Sequence, residues 1–171
     1  MFLYKNFTSK ILNLGPIILL YYLSISEIDT HFSNLFEILS FNIQLIIIYY
    51  WILRDGSIIG NGHIFLAGII NDVVTGLPMA TSSISYLVIS FTASYVRSVT
   101  VNKNIFTDWF TFFIAVFFSN LVFLILIYNF TDLTMTYTEI FYNSFFTILF
   151  YPIFWFIFNI YKSFMIVGKN D

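Results

Sequence analysis

The sequence predicts an all-α, polytopic membrane protein with six transmembrane helices and both termini in the cytoplasm. Three observations predict this fold class. Charged residues make up only 9% of the 171 residues, whereas a soluble domain carries about 25% because its surface faces water. Long apolar segments recur along the whole chain, and the mean hydropathy is +0.87. All Lys and Arg residues fall on one side of these segments.

Six apolar segments each have about the 17–25 residues that a helix needs to cross a bilayer. They cover residues 11–26, 35–53, 57–75, 79–96, 109–129 and 141–161. Helices are required because backbone amides in lipid have to bond within their own segment. The connections are short, so the sequence predicts a single integral membrane domain over residues 1–171.

The distribution of charge predicts the orientation. The basic residues lie at the termini or in the connections on one side, at Lys5, Lys10, Arg54, Arg97, Lys103, Lys162 and Lys169. The connections on the other side carry only acidic charges, at Glu27, Asp29, Asp132 and Glu139. Because cytoplasmic loops are enriched in Lys and Arg, the basic side and both termini are predicted to be cytoplasmic.

The third segment carries an aspartate inside the apolar run IINDVVTGLP. Gly68, Asp72 and Gly76 follow one another at four-residue spacing, which places them on one face of a helix. Glycines on such a face let a second helix approach closely, while Gly76 and Pro78 together predict the end of the helix. We therefore expect a tight hairpin, in which Asp72 accepts hydrogen bonds from the start of the fourth segment.

A carboxylate inside a membrane segment also suggests an ion, proton or substrate site. Asp72 lies near the outer end of its segment, however, and the other segments offer no Lys, Arg or acid at the same depth. Glu37 is also on the outer side. A structural or partner-contact role is therefore favoured for Asp72. His63 is isolated, so it is expected to be a packing residue rather than a metal ligand.

Three further residues are interpreted from general rules. Pro152 is expected to kink the sixth segment, because proline removes one backbone donor. Trp51 and Trp109 lie near the inner ends of their segments, where tryptophan commonly anchors a helix at the interface.

The sequence contains no motif for nucleophilic catalysis, phosphate binding or nucleic-acid contact. Its basic residues are too few and too dispersed for a nucleic-acid surface. It has no cysteine, and hence no disulfide and no thiolate metal site. We expect a protein that is not an enzyme and that has no cofactor or metal.

Two stretches resemble the MreD family, the rod shape-determining membrane proteins of bacteria. They are FNIQLIIIYYWIL (41–53) and GIINDVVTGLPMATSSISYLVISFTASYV (68–96). The matching residues are an aromatic pair, a Gly-x-x-x-Asp-x-x-x-Gly block and a tyrosine, at Tyr50, Trp51, Gly68, Asp72, Gly76 and Tyr95.

The end of the chain, FYPIFWFIFNIYKSF (150–164), is similar to the last span of that family, with Pro152 in the expected place. The chain departs from the family pattern at three points. The family often has proline where Ser40 stands, and glycine where Met79 and Ala80 follow the hairpin turn. Ser94, rather than alanine, precedes Tyr95.

The resemblance implies a non-catalytic component of the cell-elongation complex in the bacterial inner membrane. Such a protein would link cytoskeletal MreB and MreC to the RodA glycosyltransferase and its partner penicillin-binding transpeptidase. In this way it would connect the cytoskeleton to peptidoglycan synthesis at the side wall. Gly68, Asp72, Gly76 and Pro78 would then shape helix packing or a partner contact.

Two other interpretations stay open. The MreD layout is similar to that of the substrate-binding subunits of energy-coupling factor (vitamin) transporters. Such a subunit predicts an outward-facing pocket of converging polar residues and a long first outer loop. Here that loop, residues 27–34, is short, and the first segment has no Ala-x-x-x-Ala pair for docking a coupling subunit. A third interpretation is an ion- or proton-coupled carrier that uses Asp72 and Glu37.

Overall fold

The computed structural model describes residues 2–26, 41–100, 104–130 and 137–170. Within these ranges the protein consists of six α-helices and contains no strand. The helices are α1 (Phe2–Ile25), α2 (Ile43–Arg54), α3 (Asn61–Thr75), α4 (Thr81–Val99), α5 (Ile105–Phe130) and α6 (Tyr137–Asn170). The predicted all-α class is confirmed.

Helix α2 occupies the centre of the bundle. Every residue from Leu45 to Leu53 is buried. The other five helices form a closed ring in the order α1, α3, α4, α5 and α6, and α2 packs against α1, α4 and α6. Ring side chains such as Phe112 and Tyr151 join α2 in one hydrophobic core. Protein rather than lipid therefore surrounds α2.

Two helices of the described chain are long and apolar enough to cross a membrane, Ile105–Phe130 and Ile140–Met165. The apolar stretches Asn13–Ile25 and Ile43–Arg54 are shorter. The 12 residues of α2 extend only about 18 Å, since an α-helix rises about 1.5 Å per residue.

Several predicted boundaries differ from the observed helices. Helix α3 begins at Asn61 rather than at residue 57, because residues 56–59 form a turn and Gly60 is extended. Helix α4 begins at Thr81 rather than at residue 79. Helices α5 and α6 extend beyond the predicted segments at both ends. The first residues of the predicted second segment, 35–40, lie outside the described residues.

The connection between α3 and α4 contains two residues with left-handed backbone conformation. Gly76 follows the last residue of α3 with a φ of 68°, and Ala80 precedes the first residue of α4 with a φ of 76°. Glycine adopts this conformation freely, whereas a residue with a Cβ is disfavoured there by about 1–2 kcal/mol. Ala80 therefore holds backbone strain at one of the positions where the MreD family often has glycine.

We expect the substitution Ala80→Gly to raise the free energy of unfolding by up to about 1 kcal/mol. Relief of the left-handed strain exceeds the conformational entropy that glycine adds to the unfolded chain. Gly76 has a similar left-handed conformation, so the reverse substitution there, Gly76→Ala, should lower the free energy of unfolding by about 1 kcal/mol. Thermal unfolding in detergent measures both variants. A destabilised Ala80→Gly variant would mean that packing of the Ala80 methyl group outweighs the strain.

Candidate functional site

Helices α3 and α4 approach each other closely at Gly68. A Cβ at this position would lie 2.3 Å from Ser83 Cα and 2.6 Å from Ser83 N. The Ser83 hydroxyl donates a hydrogen bond of 3.0 Å to the Phe65 carbonyl. Because the nearest atoms are backbone atoms, only glycine fits at position 68.

Asp72 lies one turn further along the same face and is fully buried. Its Oδ1 accepts a hydrogen bond of 2.8 Å from the backbone amide of Ser82. The first amides of a helix have no partner within the helix, and Ala80 at the cap position offers no side-chain acceptor. Asp72 therefore caps α4 from the neighbouring helix, where a negative charge is also favourable.

The backbone of Asp72 also ends α3. Its carbonyl accepts hydrogen bonds from the amides of Gly76 and Leu77. Pro78 then leads the chain into α4, and its carbonyl accepts from the Thr81 amide at 3.2 Å. One residue thus links the end of α3 to the start of α4. Oδ2 of Asp72 has no hydrogen-bond partner in the described part of the chain.

Asn71 extends this polar cluster to two more helices. Its Nδ2 donates to Ser82 Oγ at 3.1 Å, and its Oδ1 accepts from Gln44 Nε2 at 3.1 Å. Gln44 Nε2 also donates to the Leu23 carbonyl at 3.1 Å. Hydrogen bonds therefore connect α1, α2, α3 and α4 at one end of the bundle. Two adjoining recesses of about 240 and 300 Å³ lie at this end and share Asn42, Asn71 and Asn143.

The other end of the bundle contains a buried ion pair that the sequence analysis does not predict. Arg54 Nη2 donates to Asp108 Oδ2, and Trp155 Nε1 donates to the same oxygen at 3.1 Å. The guanidinium group lies over the rings of Tyr50 and Trp155, at 5.9 and 5.6 Å. The cluster joins α2, α5 and α6. The signal in the sequence is weak: Asp108 is an acidic residue on the side that carries the basic residues, and Asp55 is another.

The loop after α2 gathers further charges at this end. The Ser57 hydroxyl donates to Asp55 Oδ1 at 2.7 Å and holds the pKa of that carboxyl below its usual range. Arg97 and Lys162 lower the same pKa by charge attraction. Arg54, Arg97 and Lys162 therefore lie at the same end of the bundle.

Pro152 lies inside α6, which continues through it as one helix. Proline has no N–H, so the carbonyl of Ile148, four residues earlier, lacks its helical donor. Trp109 Nε1 of α5 donates to this carbonyl at 2.8 Å. Trp109 thus donates to the Ile148 carbonyl, which Pro152 leaves without a helical donor. This contact is additional to any interfacial role of Trp109.

The predicted interfacial role of Trp51 is wrong. Its side chain is only 1% exposed, within the central core, because α2 is surrounded by other helices. His63 pairs with the Tyr21 hydroxyl through Nδ1 at 3.0 Å. Glu37 lies outside the described residues.

We expect Trp109→Phe to lower the free energy of unfolding by about 1–2 kcal/mol, because the Ile148 carbonyl then loses its donor. The matched control is the same change in a Pro152→Ala background, where the helix regains its own N–H donor. There the loss should be smaller. Thermal or denaturant unfolding is measured for the unsubstituted protein, the two single variants and the double variant. The four values give the coupling free energy between positions 109 and 152. Equal losses in both backgrounds would disprove this link.

The chain matches no family model, no curated protein and no solved structure. Its function is therefore inferred from its own residues and contacts.

Proposed function

We propose that the chain is a non-catalytic, six-span membrane component of the bacterial cell-elongation complex, of the MreD type. The observation that carries this proposal is the position of the Gly-x-x-x-Asp-x-x-x-Gly block. Gly68 lies against Ser83, Asp72 caps α4 and Gly76 ends α3. The residues that carry the resemblance thus build one rigid α3–α4 hairpin, which suits a scaffold that presents fixed helix surfaces to partners.

A membrane location is supported by the outward faces of α5 and α6. Phe106 and Phe110 of α5 are 78% and 65% exposed, and Phe141 and Phe156 of α6 are 68% and 63% exposed. Soluble monomers rarely leave contiguous apolar surface of this kind open to water. Lipid, or the helices of membrane partners, would cover these side chains in the bacterial plasma membrane.

The proposed orientation has the Arg54–Asp108 end of the bundle in the cytoplasm. Arg54, Arg97 and Lys162 lie at this end, and positive charge is retained on the cytoplasmic side. Cytoskeletal MreB would approach this end. MreC, RodA and the penicillin-binding transpeptidase would contact the membrane-embedded helices or the opposite end.

The absence of cysteine permits a direct test of orientation with single introduced thiols. A Cβ at Gly60 has no atom within 4 Å, and Met79 is 77% exposed, so both positions accept cysteine. We expect a membrane-impermeant maleimide to label Met79→Cys in intact spheroplasts, and Gly60→Cys only after permeabilisation. Labelling of Gly60→Cys alone in intact spheroplasts would contradict the proposed orientation.

Co-purification tests the proposed function itself. The tagged chain is extracted from its own membranes in mild detergent, and its partners are identified by quantitative mass spectrometry. We expect enrichment of MreC, RodA or the transpeptidase over a tagged, unrelated six-helix membrane protein purified in parallel. Failure to enrich any of them, with or without crosslinking, would contradict the proposal.

A second candidate function is favoured by one observation, the polar recesses at the end of the bundle opposite Arg54. In the proposed orientation they face outward, as the substrate-binding subunit of an energy-coupling factor transporter requires. The same co-purification distinguishes the two functions. A transporter subunit would enrich a pair of ATPases with a membrane coupling protein.

A further inference from the structure

The smaller of the two recesses at the polar end of the bundle has a volume of about 240 Å³. It lies where α2, α4 and α6 begin and where α3 ends. Its polar lining includes Asn42, Asn71, Ser82, Tyr86, Asn120 and Asn143. Five helices therefore contribute to one concave surface, which is the usual form of a small-molecule site.

The chemistry of the lining selects for an uncharged ligand. None of the described lining residues carries a charge. Amides and hydroxyls each donate and accept hydrogen bonds, so they match a ligand with many hydroxyl groups. Apolar side chains, including Leu45, Leu77 and Phe123, form the rest of the wall. An anionic ligand would lose its hydration here without gaining a positively charged partner among the described lining residues.

Tyr86 points independently to a ligand. Its side chain is 2% exposed and lines the recess, yet its hydroxyl has no hydrogen-bond partner in the described residues. The Asn42 amide lies nearby but outside hydrogen-bonding geometry. Because roughly 90% or more of buried polar groups have a partner, a hydroxyl left free beside a recess marks a place for a ligand atom.

We propose that this recess binds a small, uncharged, hydroxyl-rich molecule of about the size of a monosaccharide. The Tyr86 hydroxyl exchanges a hydrogen bond with the ligand, and the amides of Asn42, Asn120 and Asn143 surround its other hydroxyl groups. The volume of the recess is below the roughly 300–1,000 Å³ of sites for drug-sized ligands. The ligand must therefore be smaller than a drug-sized molecule. This recess is one of the two that favour the second candidate function, and binding of the ligand is measured without assuming that function.

Binding is tested on the purified full-length chain in detergent by equilibrium dialysis and by thermal shift. The neutral probes are myo-inositol, D-glucose and N-acetyl-D-glucosamine. The charged control is the anion D-gluconate. We expect at least one neutral probe to bind saturably and to raise the unfolding temperature, and we expect D-gluconate to do neither. Binding of none of the neutral probes, or equal binding of D-gluconate, would overturn the proposal.

A matched pair of variants tests the role of Tyr86. Tyr151 also has a buried hydroxyl without a partner in the described residues, and it lies outside the recess lining. Tyr86→Phe should weaken binding about threefold to tenfold, the effect of one hydrogen bond, while Tyr151→Phe should leave it unchanged. Both variants should fold, since each loses only an unpartnered hydroxyl. Unchanged affinity in Tyr86→Phe, or an equal loss in Tyr151→Phe, would refute the assignment of Tyr86.

Discussion

The substitution Gly68→Ala is expected to lower the free energy of unfolding by about 2–3 kcal/mol or to abolish folding, through overpacking. The added methyl group would lie 2.3 Å from Ser83 Cα, well inside van der Waals contact. Backbone atoms cannot rotate away, so α3 and α4 would have to separate. Separation would also stretch the hydrogen bond from the Ser82 amide to Asp72. Equilibrium unfolding in detergent measures the loss.

The control for Gly68→Ala is Gly62→Ala in the same helix. A Cβ at Gly62 has no atom within 4 Å, so this change should be neutral or stabilising by up to about 1 kcal/mol, from helix propensity. Ser83→Ala in the Gly68→Ala background should not restore stability, because the closest contacts are to the backbone of Ser83. Equal stability of Gly68→Ala and Gly62→Ala would contradict the close approach of α3 and α4.

The second large effect is expected at the ion pair. Asp108→Asn leaves the guanidinium of Arg54 buried without a counter-charge, since the two side chains are only 11% and 2% exposed. Removal of one partner of a buried pair destabilises a protein by about 3–5 kcal/mol. We expect about 3 kcal/mol here, because asparagine can still accept the hydrogen bond from Trp155. Arg54→Met should produce a comparable loss.

The double variant Arg54→Met/Asp108→Asn separates charge burial from general damage. With both charges removed, no buried charge is left without a counter-charge, and replacement of a buried pair by neutral groups is often close to neutral. We expect the double variant to be more stable than either single variant. If the loss of unfolding free energy in the double variant equals the sum of the losses in the two single variants, the two side chains do not interact in the native state.

The geometry of the α3–α4 hairpin is accessible from sequence because its signal is local. Gly68, Asp72 and Gly76 are separated by one helical turn each, and the turn residues follow directly. The stop of α3 at Gly76 and the nearness of Asp72 to the start of α4 therefore follow from spacing and known backbone preferences. The strained conformation of Ala80 does not follow, since alanine gives no sign of a positive φ.

The placement of α2 is not accessible from sequence. Its run of isoleucine, tyrosine and tryptophan is equally suited to lipid and to a protein core, because both surroundings are apolar. The predicted interfacial role of Trp51 was therefore wrong, because its side chain lies in the central core. The Arg54–Asp108 pair was missed for a related reason. The partners lie 54 positions apart, and only the three-dimensional packing brings them together.

The central position of α2 affects the order in which the contacts of the protein form during synthesis. Its hydrogen bonds Asn42–Thr147 and Tyr50–Asn159 join residues 105 and 109 positions apart. During synthesis, α2 emerges long before α6 supplies these partners, and such distant contacts form late. A chain truncated before α6 would leave Asn42 and Tyr50 without these partners. Completion of the contacts around α2 therefore waits for the last helix.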